Sequence, residues 1–117
     1  MALALVFLRC RPETPSEVVR AAYEAANKGD YEKAEQQMTR FGKALLLQGG
    51  VNSRDRWDHL TRNRSIKEIV VVNETVLDDS ATVTIKCYFA DNSSLKQDES
   101  LKIEDGAWRL VGIEVHH

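Results

Sequence analysis

The order of the hydrophobic patterns along this chain constrains its fold more than any single motif does. Before Ser65 the apolar residues recur with the period of a helix, and after Ser65 they alternate as they do in β-strands. Helices that precede all the strands cannot serve as crossovers between parallel strands. The sequence therefore predicts an α+β domain in which a helical layer covers one antiparallel sheet.

The first helix has well-defined ends in the sequence. Thr14 and Glu17 are spaced as a capping box, and Pro15 takes the first helical position, where a missing N–H has no cost. Gly29 favours the left-handed conformation that ends a helix, and Asp30 can cap a second helix. The second helix is expected to present one apolar side, which consists of Tyr31, Ala34, Met38 and Phe41.

A further short helix is predicted after Ser53, which can act as its N-cap. Trp57 and Leu60 fall on neighbouring turns of this helix, and we expect Trp57 to anchor it to the core. The arginines nearby are interpreted as a solvated surface beside two aspartates rather than as an anion site. These arginines are Arg54, Arg56, Arg62 and Arg64.

The second half of the chain predicts a curved four-stranded antiparallel meander. Residues 81–89 alternate between apolar and polar, and Asp105 followed by Gly106 is typical of a tight hairpin turn. Gly112 interrupts the last strand, so we expect a bulge or bend there that curls the sheet around the first helix into a cone. The predicted strands span residues 66–77, 81–89, 95–104 and 107–115.

Length and charge limit the classes of partner. The 117 residues fit one domain, which we assign to residues 13–117. Lys and Arg number 16 against 18 for Asp and Glu, and the signs are interspersed, so nucleic acid is not an expected partner. No window approaches the roughly 18 consecutive apolar residues that cross a bilayer.

Residues 1–12 are predicted to be a separate signal-like or arm segment. Their apolar run ends at Cys10, as at the start of a bacterial lipoprotein, although Arg9 stands where a small residue is preferred before cleavage. The alternative is that residues 2–8 are ordinary structure, packed on the domain or on another copy of it. Cys87 lies in the apolar register of its strand, which favours a buried thiol over a Cys10–Cys87 disulfide.

No catalytic, cofactor or metal motif stands out. No histidine, cysteine or carboxylate lies four residues after His59, so we predict neither a metal nor a cofactor. The weak catalytic candidates are Tyr23 and Glu99, because an acid–base enzyme would need a tyrosine and a carboxylate that converge in a dry pocket. We expect instead that Tyr23 is a core residue with its hydroxyl near the rim, and that Glu99 lies toward an open edge. The terminal His116 and His117 are given no role.

Six segments of the chain carry a resemblance to a known family. They are residues 14–19 (TPSEVV), 23–25 (YEA), 27–34 (NKGDYEKA), 57–61 (WDHLT), 66–69 (IKEI) and 104–110 (EDGAWRL). Together they resemble small bacterial envelope proteins of an uncharacterised, often lipid-anchored family with the nuclear-transport-factor-2-like (NTF2-like), or cystatin-like, cone fold. The resemblance implies a periplasmic or extracytoplasmic location, with membrane attachment only through a lipid on Cys10. A cytoplasmic location is the alternative.

The implied fold, with few titratable groups at inward positions, predicts a non-catalytic binding module. Its unidentified partner would be a small apolar molecule, a peptide or a protein, held in the mouth of the cone. The predicted ligand-binding residues are Tyr23, Trp57, Phe89 and Trp108. One alternative is an acid–base enzyme of the ketosteroid-isomerase-like or SnoaL-like type, which a cavity filled by aromatic side chains would exclude. The other is a structural module that forms a homodimer through the sheet or through residues 1–8.

Overall fold

The computed structural model describes residues 13–48 and 53–111. The expectations for residues 1–12, Gly112, His116 and His117 lie outside these ranges. In the described ranges the helices are α1 (Pro15–Asn27), α2 (Tyr31–Glu35), α3 (Arg40–Gln48) and α4 (Ser53–Thr61). The strands are β1 (Ile66–Leu77), β2 (Ser80–Phe89), β3 (Ser94–Glu104) and β4 (Ala107–Leu110). Among these residues no helix is long and apolar enough to cross a membrane.

The strands form a four-stranded antiparallel sheet in the order β1-β2-β3-β4. Asp105 and Gly106 both have positive φ, as the tight turn between β3 and β4 requires. In the register of β2 and β3, Val83 pairs with Glu99, and Leu101 of β3 pairs with Leu110 of β4. The predicted α+β class with a helical layer and an antiparallel meander is confirmed.

Helix α1 lies across the inner face of the sheet and forms the core with it. The capping box is confirmed, because Thr14 Oγ1 accepts from the Glu17 amide at 3.2 Å while the Thr14 amide donates to Glu17 Oε1 at 3.0 Å. Fixing this start orients one face of the helix toward the sheet. The buried core formed there comprises Val18, Val19, Ala22, Tyr23, Ile69, Ala81, Val83, Ile85, Cys87, Phe89, Leu101 and Leu110. Cys87 is the buried free thiol that its strand position predicts.

The second helix ends earlier than its apolar pattern predicts. Its last residue is Glu35, and the following segment pairs with the edge of β4 instead. The Leu110 amide donates to the Gln37 carbonyl at 2.7 Å, and the Thr39 amide donates to the Leu110 carbonyl at 2.8 Å. The expectation that Phe41 belongs to the apolar side of this helix is therefore wrong, and its side chain is 69% exposed.

Helix α3 begins directly after this strand-like segment. Thr39 Oγ1 accepts from the Gly42 amide at 2.9 Å and so caps the new helix. A Cβ at Gly42 would lie 2.3 Å from the carbonyl oxygen of Val111, so only glycine lets α3 approach the end of the sheet this closely.

The four arginines near α4 have different environments. Arg54 and Arg62 are exposed, as predicted. The guanidinium of Arg64 instead lies 4.0 Å from the centre of the Phe89 ring, and its Nε donates to the Thr61 carbonyl at 2.7 Å. Arg56 is half-buried. The interpretation of all four as a solvated surface is therefore wrong for Arg56 and Arg64.

Candidate functional site

A cavity lies between the helices and the inner face of the sheet. It has a volume of about 120 Å³ and opens to solvent. Most of its wall is apolar, and α1 contributes two alanines and Tyr23 to it. The lining residues are Ala22, Tyr23, Ala26, Tyr31, Ala34, Glu35, Met38, Arg56, Trp57, Leu60, Gln97, Glu99 and Leu110.

Tyr23 and Glu99 meet in the wall of this cavity. The Tyr23 hydroxyl donates to Glu99 Oε2 at 3.2 Å, and the two residues are only 6% and 8% exposed. The alternation of β3 directs Glu99 to the inner face, and the third turn of α1 places Tyr23 above it. Glu99 therefore does not lie toward an open edge, and the Tyr23 hydroxyl is satisfied by a carboxyl group rather than at the rim.

Burial makes Glu99 an unusual acid. Desolvation raises its pKa from 4.5 to about 7, the hydrogen bond from Tyr23 opposes this rise, and the charge of Asp98 adds to it. The pKa of Tyr23 is raised well above its ordinary value, by burial first and then by the Glu99 charge. Burial, with Glu99 nearby, also raises the pKa of the Cys87 thiol to about 11. Near neutral pH, Glu99 is thus present in both protonation states while Tyr23 and Cys87 keep their protons.

Trp57 from α4 fixes the orientation of the tyrosine. Its ring packs edge-on against Tyr23, with ring centres 5.4 Å apart and planes at 75°. The Trp57 ring thus packs against the tyrosine whose hydroxyl donates to Glu99. The prediction that Trp57 anchors α4 to the core agrees with its packing against the buried cluster.

Arg56 is a cavity residue that the sequence interpretation missed. Its Nε is buried, and among the described residues it has no hydrogen-bond acceptor. Arg56 and Leu60 are four residues apart and so share one face of α4, and both line the cavity. That spacing is the signal that could have separated Arg56 from its exposed neighbour Arg54.

The structure brings together some of the predicted ligand-binding residues and separates others. Tyr23 and Trp57 line the cavity, whereas Phe89 and Trp108 are not in its lining. Phe89 is buried in the core beneath Arg64, and Trp108 is half-buried on β4 against the core. Aromatic side chains therefore do not fill the cavity. His59 is exposed, and the part of the chain that the structure describes contains no cluster of three or more potential metal ligands.

Comparison with known proteins identifies the fold. No family model matches the sequence, and no curated protein matches it either. The structure is similar to that of a protein labelled an NTF2-like transpeptidase from Campylobacter jejuni, with a TM-score of 0.66 and 13% identity over 85% of this chain and 98% of that one. It is also similar to a SEC-C motif containing protein from Rhodopseudomonas palustris, with a TM-score of 0.67 and 14% identity over 92% of this chain and 86% of that one. The chain thus has an NTF2-like α+β fold.

Proposed function

We propose that this protein is a binding module for a small, largely apolar molecule with a hydrogen-bonding group. The observation that carries the proposal is the buried Tyr23–Glu99 pair in the wall of an otherwise apolar cavity that opens to solvent. Pockets of this composition, with few polar groups that converge on one place, are typical of small-molecule sites.

The cavity volume limits the size of the ligand. An engineered apolar cavity of about 150 Å³ in another protein holds benzene, so about 120 Å³ corresponds to a ligand of one ring or a short chain. Protonated Glu99 could donate to a carbonyl oxygen of the ligand, and ionised Glu99 could accept from a hydroxyl. Phenol and benzyl alcohol are therefore suitable neutral probes.

Filling the cavity tests the binding proposal. Ala34→Leu adds volume at a half-buried lining position, whereas Ala44→Leu makes the same change at an exposed position of α3. Amide chemical shifts should respond to phenol and benzyl alcohol at residues around Tyr23 in the wild type and in Ala44→Leu, and should not respond in Ala34→Leu. Shifts that are absent in the wild type, or unchanged in Ala34→Leu, would overturn the proposal.

An acid–base enzyme of the ketosteroid-isomerase-like type is the second candidate function. The specific observation in its favour is that the pKa of Glu99 is raised to about 7 in a solvent-accessible cavity, which suits a general base near neutral pH. Glu99 would accept a proton from the carbon next to a carbonyl group of the substrate, and Tyr23 would hold the carboxylate in place.

Hydrogen–deuterium exchange of a carbon acid distinguishes catalysis from binding alone. Under the enzyme hypothesis the protein accelerates exchange of the α-protons of cyclohexanone in D₂O, and Glu99→Gln abolishes the acceleration. Asp98→Asn is the matched control, because Asp98 is the exposed neighbour of Glu99 on β3. Equal exchange rates with wild-type and Glu99→Gln protein would leave the binding module as the function.

Attachment to the cell envelope through a lipid on Cys10 is part of the proposal for location. It is supported by the apolar run that ends at this cysteine. Metabolic labelling with a palmitate analogue in a bacterial host should mark the wild type and not Cys10→Ser. An unlabelled protein in the soluble fraction would instead support the cytoplasmic alternative.

Self-association is a separate proposal. The apolar residues 1–8 could form an arm exchanged between two copies. Deletion of these residues should then lower the solution mass from that of a dimer to that of a monomer. An unchanged mass would remove the arm from consideration.

A further inference from the structure

Arg56 lines the cavity and carries a buried donor without an acceptor in the described part of the chain. It lies on α4 immediately before Trp57, and its buried Nε has no hydrogen-bond partner among residues 13–48 and 53–111. Buried N–H groups are almost always paired, and a charged donor loses more free energy than a neutral one when its partner is missing. An anionic group in the cavity, next to this lining residue, would compensate the positive charge of the guanidinium to which the unpaired Nε belongs.

The surrounding side chains indicate which kind of acceptor fits. The apolar side chains of Met38, Leu60 and Leu110 line the cavity beside Arg56, so most of an occupant must be apolar. The planar guanidinium matches the geometry of a carboxylate, and hydrogen bonds between these two groups are stronger than those between neutral groups. The occupant that satisfies both conditions has one carboxylate on an apolar ring or chain.

We propose that the ligand of this cavity is a small monocarboxylic acid, whose carboxylate pairs with Arg56 and whose apolar part packs against Trp57 and Leu60. The inference rests on the proposed binding function and specifies the ligand class of the same site. Benzoate and hexanoate are probes of this class, and benzyl alcohol is the neutral probe of matching size.

Glu99 makes the binding of such an acid depend on pH. The titratable and charged groups around its carboxyl are Tyr23 from α1, Cys87 from β2, Asp98 on β3, and Tyr31, Glu35 and Arg56 from the cavity lining. A ligand carboxylate adds negative charge to this set and so favours protonated Glu99. Because the pKa of Glu99 is about 7, the affinity for benzoate should fall as pH rises through neutrality.

Calorimetric titration of three proteins with the charged and neutral probes tests the assignment. Below the pKa of Glu99, benzoate should bind the wild type about tenfold more tightly than benzyl alcohol does, the typical effect of a hydrogen bond to a charged group. Arg56→Gln should abolish this preference, because it should weaken the binding of benzoate far more than that of benzyl alcohol. Arg54→Gln makes the same change at an exposed position of the same helix, so it should leave both affinities unchanged. Glu99→Gln should remove the pH dependence of benzoate binding.

The outcomes separate the ligand class from the binding function. Equal affinity of the wild type for benzoate, hexanoate and benzyl alcohol, or unchanged benzoate affinity in Arg56→Gln, would overturn the carboxylate assignment and leave the binding proposal in place. Failure of all three probes to bind the wild type would overturn both. Retained binding of benzyl alcohol by Arg56→Gln also shows that the variant is folded, and Arg56→Lys, which keeps the charge without the planar fork, should retain part of the benzoate preference.

Discussion

Asp98 and Glu99 are neighbours on β3, yet their carboxyl groups lie on opposite faces of the sheet. Each accepts a hydrogen bond from a hydroxyl group, Asp98 from Thr84 at 2.6 Å and Glu99 from Tyr23 at 3.2 Å. Asp98 remains exposed, whereas Glu99 is buried and its pKa rises to about 7. A step of one residue along a strand, with nearly the same chemistry, therefore separates a solvated surface acid from an acid that titrates near neutral pH.

The two faces of the sheet should differ most in how much stability is lost when neighbouring residues of β2 are changed to alanine. Ile85 is fully buried on the inner face, so Ile85→Ala should lower the free energy of unfolding by about 4 kcal/mol through lost burial and the cavity it leaves. Lys86→Ala, on the outer face, should lower it by about 0.5 kcal/mol or less. Urea denaturation measures both values, and similar losses for the two variants would contradict the assignment of the faces.

Glu99→Gln should have the next largest effect on the free energy of unfolding, and the size of this effect should depend on pH. The folded protein holds the Glu99 proton up to about pH 7, whereas the unfolded chain releases it near 4.5. Between these values the folded state binds more protons, so the free energy of unfolding falls as pH rises, by about 3 kcal/mol in total. Glu99→Gln should abolish this slope and stabilise the protein most above pH 7.

Denaturation of wild-type and Glu99→Gln protein across this pH range measures the slope. Asp98→Asn is the control for removal of a carboxyl group from the same strand, and it should leave most of the slope in place. A wild-type protein whose stability has the same pH dependence as that of Glu99→Gln would contradict the raised pKa of Glu99.

Removal of the hydroxyl that donates to Glu99, or of the one that donates to Asp98, should change the free energy of unfolding by smaller amounts. Tyr23→Phe leaves the buried Glu99 carboxyl without this donor, so it should lower the free energy of unfolding by about 1–2 kcal/mol, with the greater loss above pH 7. Thr84→Val should have little effect because water can replace the hydroxyl at Asp98. Chemical denaturation on both sides of neutral pH would reveal the contrast, and equal losses in the two variants would contradict it.

The smallest expected effect is a shift in the pKa of Glu99 when Asp98, on the opposite face of the sheet, is changed. The charge of Asp98 contributes to the raised pKa of Glu99, so Asp98→Asn should lower the pKa of Glu99 slightly from about 7. Tyr23→Phe should shift it in the opposite direction, because the Tyr23 hydrogen bond stabilises the ionised form. A carbon-13 NMR titration of the Glu99 carboxyl measures both shifts, and shifts of the same sign would refute the account.

The features that the sequence predicts correctly depend on near neighbours in the chain. The capping box joins residues three apart, and the alternation of β2 and β3 follows from the pleat of each strand. These patterns are sufficient to predict the α+β fold and the buried thiol of Cys87.

The features that the sequence did not predict depend on distant contacts. The end of α2 is determined by pairing with Leu110, and the burial of Glu99 is determined by the position of α1 above β3. Arg56 is a different case, because its spacing of four from Leu60 is a local signal for the inward face, whereas the strongly charged composition of α4 favours a solvated one. Local polarity was a poor guide because the cavity accommodates polar side chains that a filled core would reject.

The segment between α2 and α3 also affects how copies of this protein can associate. Leu110 of β4 uses both its amide and its carbonyl in hydrogen bonds to Gln37 and Thr39, so these groups cannot template an additional strand. Sheet extension from one copy to the next, the first step toward cross-β aggregation, is thereby hindered at this margin without a proline, a lysine or a bulge. The segment that joins α2 to α3 thus protects this edge of the sheet against polymerisation.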